Sequence, residues 1–269
     1  MRLRRPATRV FAPNGRPAPT ATELLYMTDY LAEFGMAPDL DLYARGGGYS
    51  FIRMCEALLD GLPEELPTMD AAVLAYHLPD LQVIEVAGCY LAGRLPGSPA
   101  VFSVSGQGVG APFTALRVLD CLRRSGALAD GAVFVLDQTT APYPDSSTHG
   151  GAVRDCALLL RTSLDDGDAG VALDFLDECP VDDPAPVLDA LARRHPHPRI
   201  LAGQTLAARL DPDLRARLDI VDGPAHHLCT SAWAALAEHW PRERYTVVAD
   251  YDPHAGRLFQ AGLRPGRPA

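Results

Sequence analysis

The chain reads as an α/β protein built from two halves of similar order, and three stretches predict this. The first is Val101-Phe-Ser-Val-Ser-Gly-Gln-Gly-Val-Gly110 with the segment up to Ser125. Apolar, β-prone residues run into a Gly-rich turn, and Phe113, Leu116, Leu119 and Leu122 then repeat at helical spacing. The second is the pair of apolar runs Met69–Tyr76 and Ala132–Leu136, which have the continuous character of strands buried on both faces. The third is a further series of strand and helix patterns beyond residue 148. A strand, a sharp glycine turn and a helix can present one side chain at a helix N-terminus, as a nucleophile requires; equally, the glycines can serve only close packing in a βαβ crossover.

Taken in order, Thr8–Ala12 predicts a short strand and Thr22–Ala32 a capped helix. Ala44-Arg-Gly-Gly-Gly-Tyr-Ser50 is a loop. It lacks both a following Lys-Ser/Thr pair and a preceding buried strand, so it is not read as a phosphate loop. Ser50 caps a helix from Phe51 to Leu62, and a second helix is expected near Gln82 to Leu95. Pro112 is tolerated in the first turn of the helix after the glycine turn, and Gly126 ends that helix. Further on come a strand within His149–Leu160, a strand at Gly170–Phe175, a helix at Pro184–Arg194 and a strand at Arg199–Ala202. A helix begins at Cys229, and Tyr245–Leu263 forms two strands around a Gly-containing turn.

At 269 residues with 48% hydrophobic content, the chain can bury a sizeable core. A net charge of −10 argues against general binding to nucleic acid or to an anionic membrane surface. All 24 basic residues are Arg, so Schiff-base chemistry on Lys is excluded; the composition points to a GC-rich bacterial genome. Cys55, Cys89, Cys121, Cys156, Cys179 and Cys229 are scattered without a C-x-x-C pair, and are read as reduced, buried residues with no metal site. No signal-peptide pattern or membrane-length apolar run occurs, so a cytoplasmic protein is expected.

The stretch Phe102–Gly110 resembles the nucleophile segment of the thiolase superfamily, most like the β-ketoacyl-acyl-carrier-protein synthase III branch, whose pattern is F-D-V-S-A-A-C-S-G-F. Ala87–Leu95 resembles the family's preceding helix, which makes Cys89 a structural core residue, and His149–Leu160 resembles its G-D-G-A-G-A-V-V-L strand. The resemblance covers roughly residues 50–264 and implies a five-layer αβαβα fold of two similar halves, 1–147 and 148–269, with the N-terminal half abbreviated.

The family's chemistry uses a Cys nucleophile with a His and an Asn. Here the nucleophile position falls on Gly108, or on Gln107 with a one-residue shift. Against H-Q-A-N, Gln204 matches while Gly203 stands for His and Leu206 for Asn; against G-N-T-S-A-A-S, Thr230, Ser231 and Ala232 match while Cys229 stands for Asn. All three catalytic positions are therefore changed, and decarboxylative condensation by the usual route is not expected.

Two roles remain open. In one, the chain is a non-elongating partner or acyl-chain-binding protein of bacterial secondary metabolism. The chain-length factors of type II polyketide systems offer the analogy, since Gln often replaces their Cys. In the other, Cys229 at a helix start, with a dipole-lowered pKa and with His226 or His227 as base, forms a rebuilt acyltransferase site. Set against this is a packed Cys beside structural histidines. Ser105, Gln204, Thr230 and Ser231 are the expected pocket residues; Ser105 and the His149–Asp155 pair are weaker catalytic candidates. The resemblance implies an acyl-coenzyme A or phosphopantetheine-linked acyl ligand, no permanently bound cofactor, and a homodimer or a heterodimer with an active ketosynthase.

Overall fold

A computed structural model describes residues 1–15, 18–80, 82, 85–149, 153–163, 170–195 and 197–265. The N-terminal region supplies β1 (Arg2–Leu3), β2 (Ala7–Val10), α1 (Ala21–Ala32), α2 (Leu40–Tyr43), α3 (Phe51–Asp60), β3 (Ala71–Tyr76), α4 (Ala87–Arg94) and β4 (Ala100–Val104). A 3-10 turn at Gly108–Gly110 leads into α5 (Ala111–Arg124), β5 (Gly131–Asp137), α6 (Ser146–His149) and β6 (Cys156–Ser163). Then follow β7 (Val171–Pro180), α7 (Ala185–Arg194), β8 (Arg199–Ala202), α8 (Gln204–Ala207), α9 (Pro212–Arg217), β9 (Asp219–Asp222), α10 (Ser231–Glu238), β10 (Thr246–Asp252) and β11 (Arg257–Arg264).

The two halves share one strand order. β4-β3-β5 pair in parallel and β6 closes them antiparallel; β9-β8-β10 pair in parallel and β11 closes them antiparallel. β1 pairs with both β6 and β7 and joins the halves into one sheet path. The alternation of strand side chains sorts the core into three clusters. Val73, Val133 and Leu158 on one half-sheet, and Leu201, Val248 and Ala261 on the other, face a middle layer of α5 and α10. Their opposite faces cover α3 and α4 on one side, and α7, α8 and α9 on the other. This is the five-layer arrangement. α10 suits the middle because Ala232-Trp-Ala-Ala-Leu236 is apolar all round, and the Trp233 and Phe113 rings meet at 4.9 Å across the two central helices.

Several local expectations shift. The first helix is capped by Thr20 through a capping box with Glu23. α4 starts at Ala87, and α10 starts at Ser231, two residues past Cys229. Residues 150–152 of the expected His149–Leu160 segment lie outside the described residues; its strand begins at Cys156, and His149 ends α6. β6 pairs along its length with β5, and β7 along its length with β11. Of the six free cysteines, Cys55, Cys156 and Cys229 are buried, but Cys89 and Cys121 are exposed and Cys179 is intermediate. Cys89 is thus not a core residue: α4 turns Ala87 and Leu91 inward, and position 89 faces outward.

Candidate active-site cavity

Parallel strands deliver their C-terminal ends to one side of a sheet, and loops that follow them form the usual crevice of an α/β protein. A cavity of about 990 Å3 opens here, bounded by Gly106 and Gly108 after β4, Gln204 after β8, and Asp252 at the end of β10. Gly108 has φ +48°, in the left-handed region, and a Cβ on it would collide with Oδ2 of Asp252. Gly203, which precedes α8, is closed in the same way by the carboxylate of Asp250. Asp252 is 9% exposed, and its Oδ1 accepts from the backbone N–H of His254 (2.8 Å) and Ala255 (3.1 Å).

A second carboxylate holds the wall behind Gly108. Asp137, the last residue of β5, accepts from the N–H groups of Leu228, Cys229 and Thr230 at 2.8, 2.8 and 3.0 Å and from Thr230 Oγ1 at 2.5 Å. Cys229 Sγ donates to the Gly108 carbonyl at 3.2 Å and is 2% exposed. Burial, followed by the charges of Asp137, Asp250 and Asp252, pushes its pKa well up, the reverse of the lowered value expected for a thiol at a helix start. The helix dipole does not rescue it, because Cys229 precedes the first turn of α10 and faces three carboxylates.

No protein-family model matches the sequence, and no curated protein does. Solved structures do. A 3-oxoacyl-(acyl carrier protein) synthase III from Pseudomonas aeruginosa superposes with a TM-score of 0.62 at 15% identity, covering 100% of this chain and 99% of that one. A tetronic acid condensing enzyme gives 0.64 at 13% identity over 98% and 99% of the two chains, and a variant of Xanthomonas campestris OleA gives 0.60 at 8% identity over 98% of each. The chain has the thiolase-like fold of the ketosynthase III enzymes.

Within the thiolase-like fold, the expected site residues separate into three groups. Gly108 and Gln204 line the cavity. Gln107 does not: it is exposed, and its Oε1 accepts from Thr114 Oγ1 on α5. Leu206 is fully buried under α8, its N–H donating to Asp250 at 3.0 Å. Thr230 and Ser231 are also fully buried and serve as scaffold, with Ser231 Oγ receiving the Gln204 N–H at 2.9 Å. Ser105 is exposed just beyond β4.

The histidines do not converge on Cys229. His226 is exposed with φ +73°, its N–H donating to Gln204 Oε1 at 2.8 Å. His227 lines a different cavity with Arg5 and Glu238, and its Nδ1 lies 3.1 Å from Thr230 Oγ1; burial first, and then His226, lower its pKa. His149 contacts the Asp145 N–H and the Thr139 carbonyl rather than Asp155. Asp155 instead accepts from Thr139 and from the Tyr49 N–H, which packs the Gly46–Gly48 run against this loop and fills any phosphate cradle.

Sequence reasoning missed His77, Asp145, Asp252 and Arg209, all on the cavity. His77 follows β3, and its Nε2 lies 3.1 Å from Asp145 Oδ2. This hydrogen bond is the main reason the His77 pKa rises and that of Asp145 falls to about 2; Asp137 and Asp252 add to the rise at His77. The signal in the sequence was position: His77, Asp137 and Asp252 stand at or just past the C-terminal ends of parallel strands. Among the described residues, no group of three or more His, Cys, Asp or Glu is arranged to hold a metal ion, and no helix is long and apolar enough to cross a membrane.

Proposed function

We propose that this chain accommodates the acyl group of a coenzyme A or carrier-protein thioester in the Gly108–Asp252 cavity, without capturing it covalently and without elongating it. It would act as a non-elongating, ketosynthase-III-like partner or acyl-binding protein of bacterial secondary metabolism. The observation that carries this reading is the Asp252 carboxylate standing where a nucleophile's side chain would leave residue 108. A cavity of about 990 Å3 is large enough for an acyl-pantetheine arm. Condensation would build negative charge on a thioester oxygen, and Asp137, Asp250 and Asp252 oppose such charge here. The same carboxylates, with burial, weigh against Cys229 as a relocated nucleophile.

β4 is an end strand of the sheet, so the edge of Ala100–Val104 not used by β3 is open to pairing with a second subunit, in keeping with a homodimer or a heterodimer with an active ketosynthase.

The test is intact-protein mass after incubation with acetyl-, butyryl- and octanoyl-coenzyme A, beside calorimetric titration of the same chain with their amide-linked analogues. Saturable binding with no covalent adduct is expected. A stable acyl adduct that disappears in Cys229→Ala overturns the non-covalent reading, and absence of any binding overturns the acyl-binding one.

A further inference from the structure

We infer that the floor of this cavity binds a primary ammonium group, so that its ligand is an amine-bearing acyl chain. This rests on the acyl-binding reading above and narrows it to one class of ligand.

Asp252 is nine-tenths buried and faces the cavity beside Gly108. Its Oδ1 is used by two backbone N–H groups, while its Oδ2 receives no hydrogen bond from any described residue. A fixed carboxylate with one oxygen left for the cavity lacks only a donor there. A neutral acyl chain supplies none; an ammonium supplies three N–H donors and the opposite charge.

Three groups of the chain report the sign of the potential around that oxygen. The protonated form of His77 is favoured by Asp145 and also by the more distant Asp137 and Asp252. The thiolate of Cys229 is disfavoured by burial and by Asp137, Asp250 and Asp252. Asp250 is fully buried with its pKa pushed up to about 7, by burial first and then by Asp137 and Asp252 against two backbone hydrogen bonds. All three describe a negative floor. The basic side chains on the cavity are engaged elsewhere: His77 is tied to Asp145, and Arg209 is exposed and lies over the Tyr251 ring.

The test is calorimetric titration of the full chain at pH 7 with amide-linked glycyl- and β-alanyl-pantetheine analogues beside their neutral isosteres, the propionyl and butyryl compounds. The amine-bearing ligand of each pair is expected to bind at least tenfold more tightly. In Asp252→Asn, which keeps an oxygen for the two backbone N–H groups, the ratio should fall to near one. Equal or tighter binding of the neutral isosteres to the unmodified chain overturns the inference and leaves the acyl-binding reading standing. Failure of all four compounds to bind overturns both. A preference that survives unchanged in folded Asp252→Asn overturns the assignment to this carboxylate. Should that variant not fold, the ratio measured on the unmodified chain still decides whether an ammonium is preferred.

Discussion

The carboxylate of Asp252 fills the space that a side chain on Gly108 would need, and the carboxylate of Asp250 does the same at Gly203. Both acids come from one strand, β10.

A cysteine placed at position 108 alone is expected to give no acyl-accepting thiol. In Gly108→Cys the new Cβ meets Asp252 at a backbone angle of φ +48°, which β-carbon-bearing residues avoid. The combined strain and overpacking should cost about 2–4 kcal/mol in urea unfolding. The new thiol would also face a carboxylate, which raises its pKa, so acyl-coenzyme A should leave no adduct by intact mass. Gly108→Cys with Asp252→Gly should recover part of the stability.

Asp137 is the strut behind the cavity. Asp137→Ala would strand the N–H groups of Leu228, Cys229 and Thr230 and the Thr230 hydroxyl. A loss of about 3–5 kcal/mol, or of cooperative unfolding, is expected, because buried unpaired donors cost roughly 1–3 kcal/mol each and do not add fully. Asp137→Asn keeps one acceptor oxygen and should cost less. Chemical denaturation followed by tryptophan fluorescence reads both, since Trp233 lies in α10 immediately after these residues.

Asp250 predicts a pH slope. Its pKa is about 7 when folded and near the ordinary carboxylate value when unfolded. Between those values the folded state holds a proton that the unfolded state has released. This group's contribution is therefore fully present below about pH 4 and is lost as pH rises toward 7, at up to about 1.4 kcal/mol per unit. Asp250→Asn should remove that downward slope from a plot of unfolding free energy against pH. An unchanged slope would mean that Asp250 is ionised throughout the range.

The His77–Asp145 pair has a different window. The raised His77 pKa gives stability that is complete below about 6.5 and fades as pH rises through the folded value; the lowered Asp145 pKa gives stability that is complete above about 4 and fades toward pH 2. The pair therefore contributes most near pH 4–6.5. Asp145→Asn should cost about 1.5–3 kcal/mol at pH 5.5 and much less at pH 9. Proton NMR of His77 should show its pKa falling in the same variant.

Much of the fold was legible because burial writes its period into the chain. Ala132–Leu136 and Arg199–Ala202 announce strands by continuous apolar character, and Phe113, Leu116 and Leu119 announce the inward face of α5. The short β9, Asp219–Asp222, gave no such signal: two of its four residues are acidic, and it is held by parallel pairing with β8. Cys89 misled because a helical pattern fixes spacing better than it fixes which residue faces the sheet.

The sequence by itself determined that the chain folds as an α/β protein of two alike halves, and that no cysteine stands in the glycine turn of residues 106–110. Those properties follow from local periodicity and from the identity of single residues. Only the tertiary structure decided what stands against that turn. Gly108 and Asp252 lie far apart in sequence, Asp137 and Cys229 are 92 residues apart, and His77 and Asp145 are 68 apart. Strand pairing and the two central helices bring them together. The direction in which each pKa moves depends on that assembly, because burial and neighbouring charge exist only once the chain is folded.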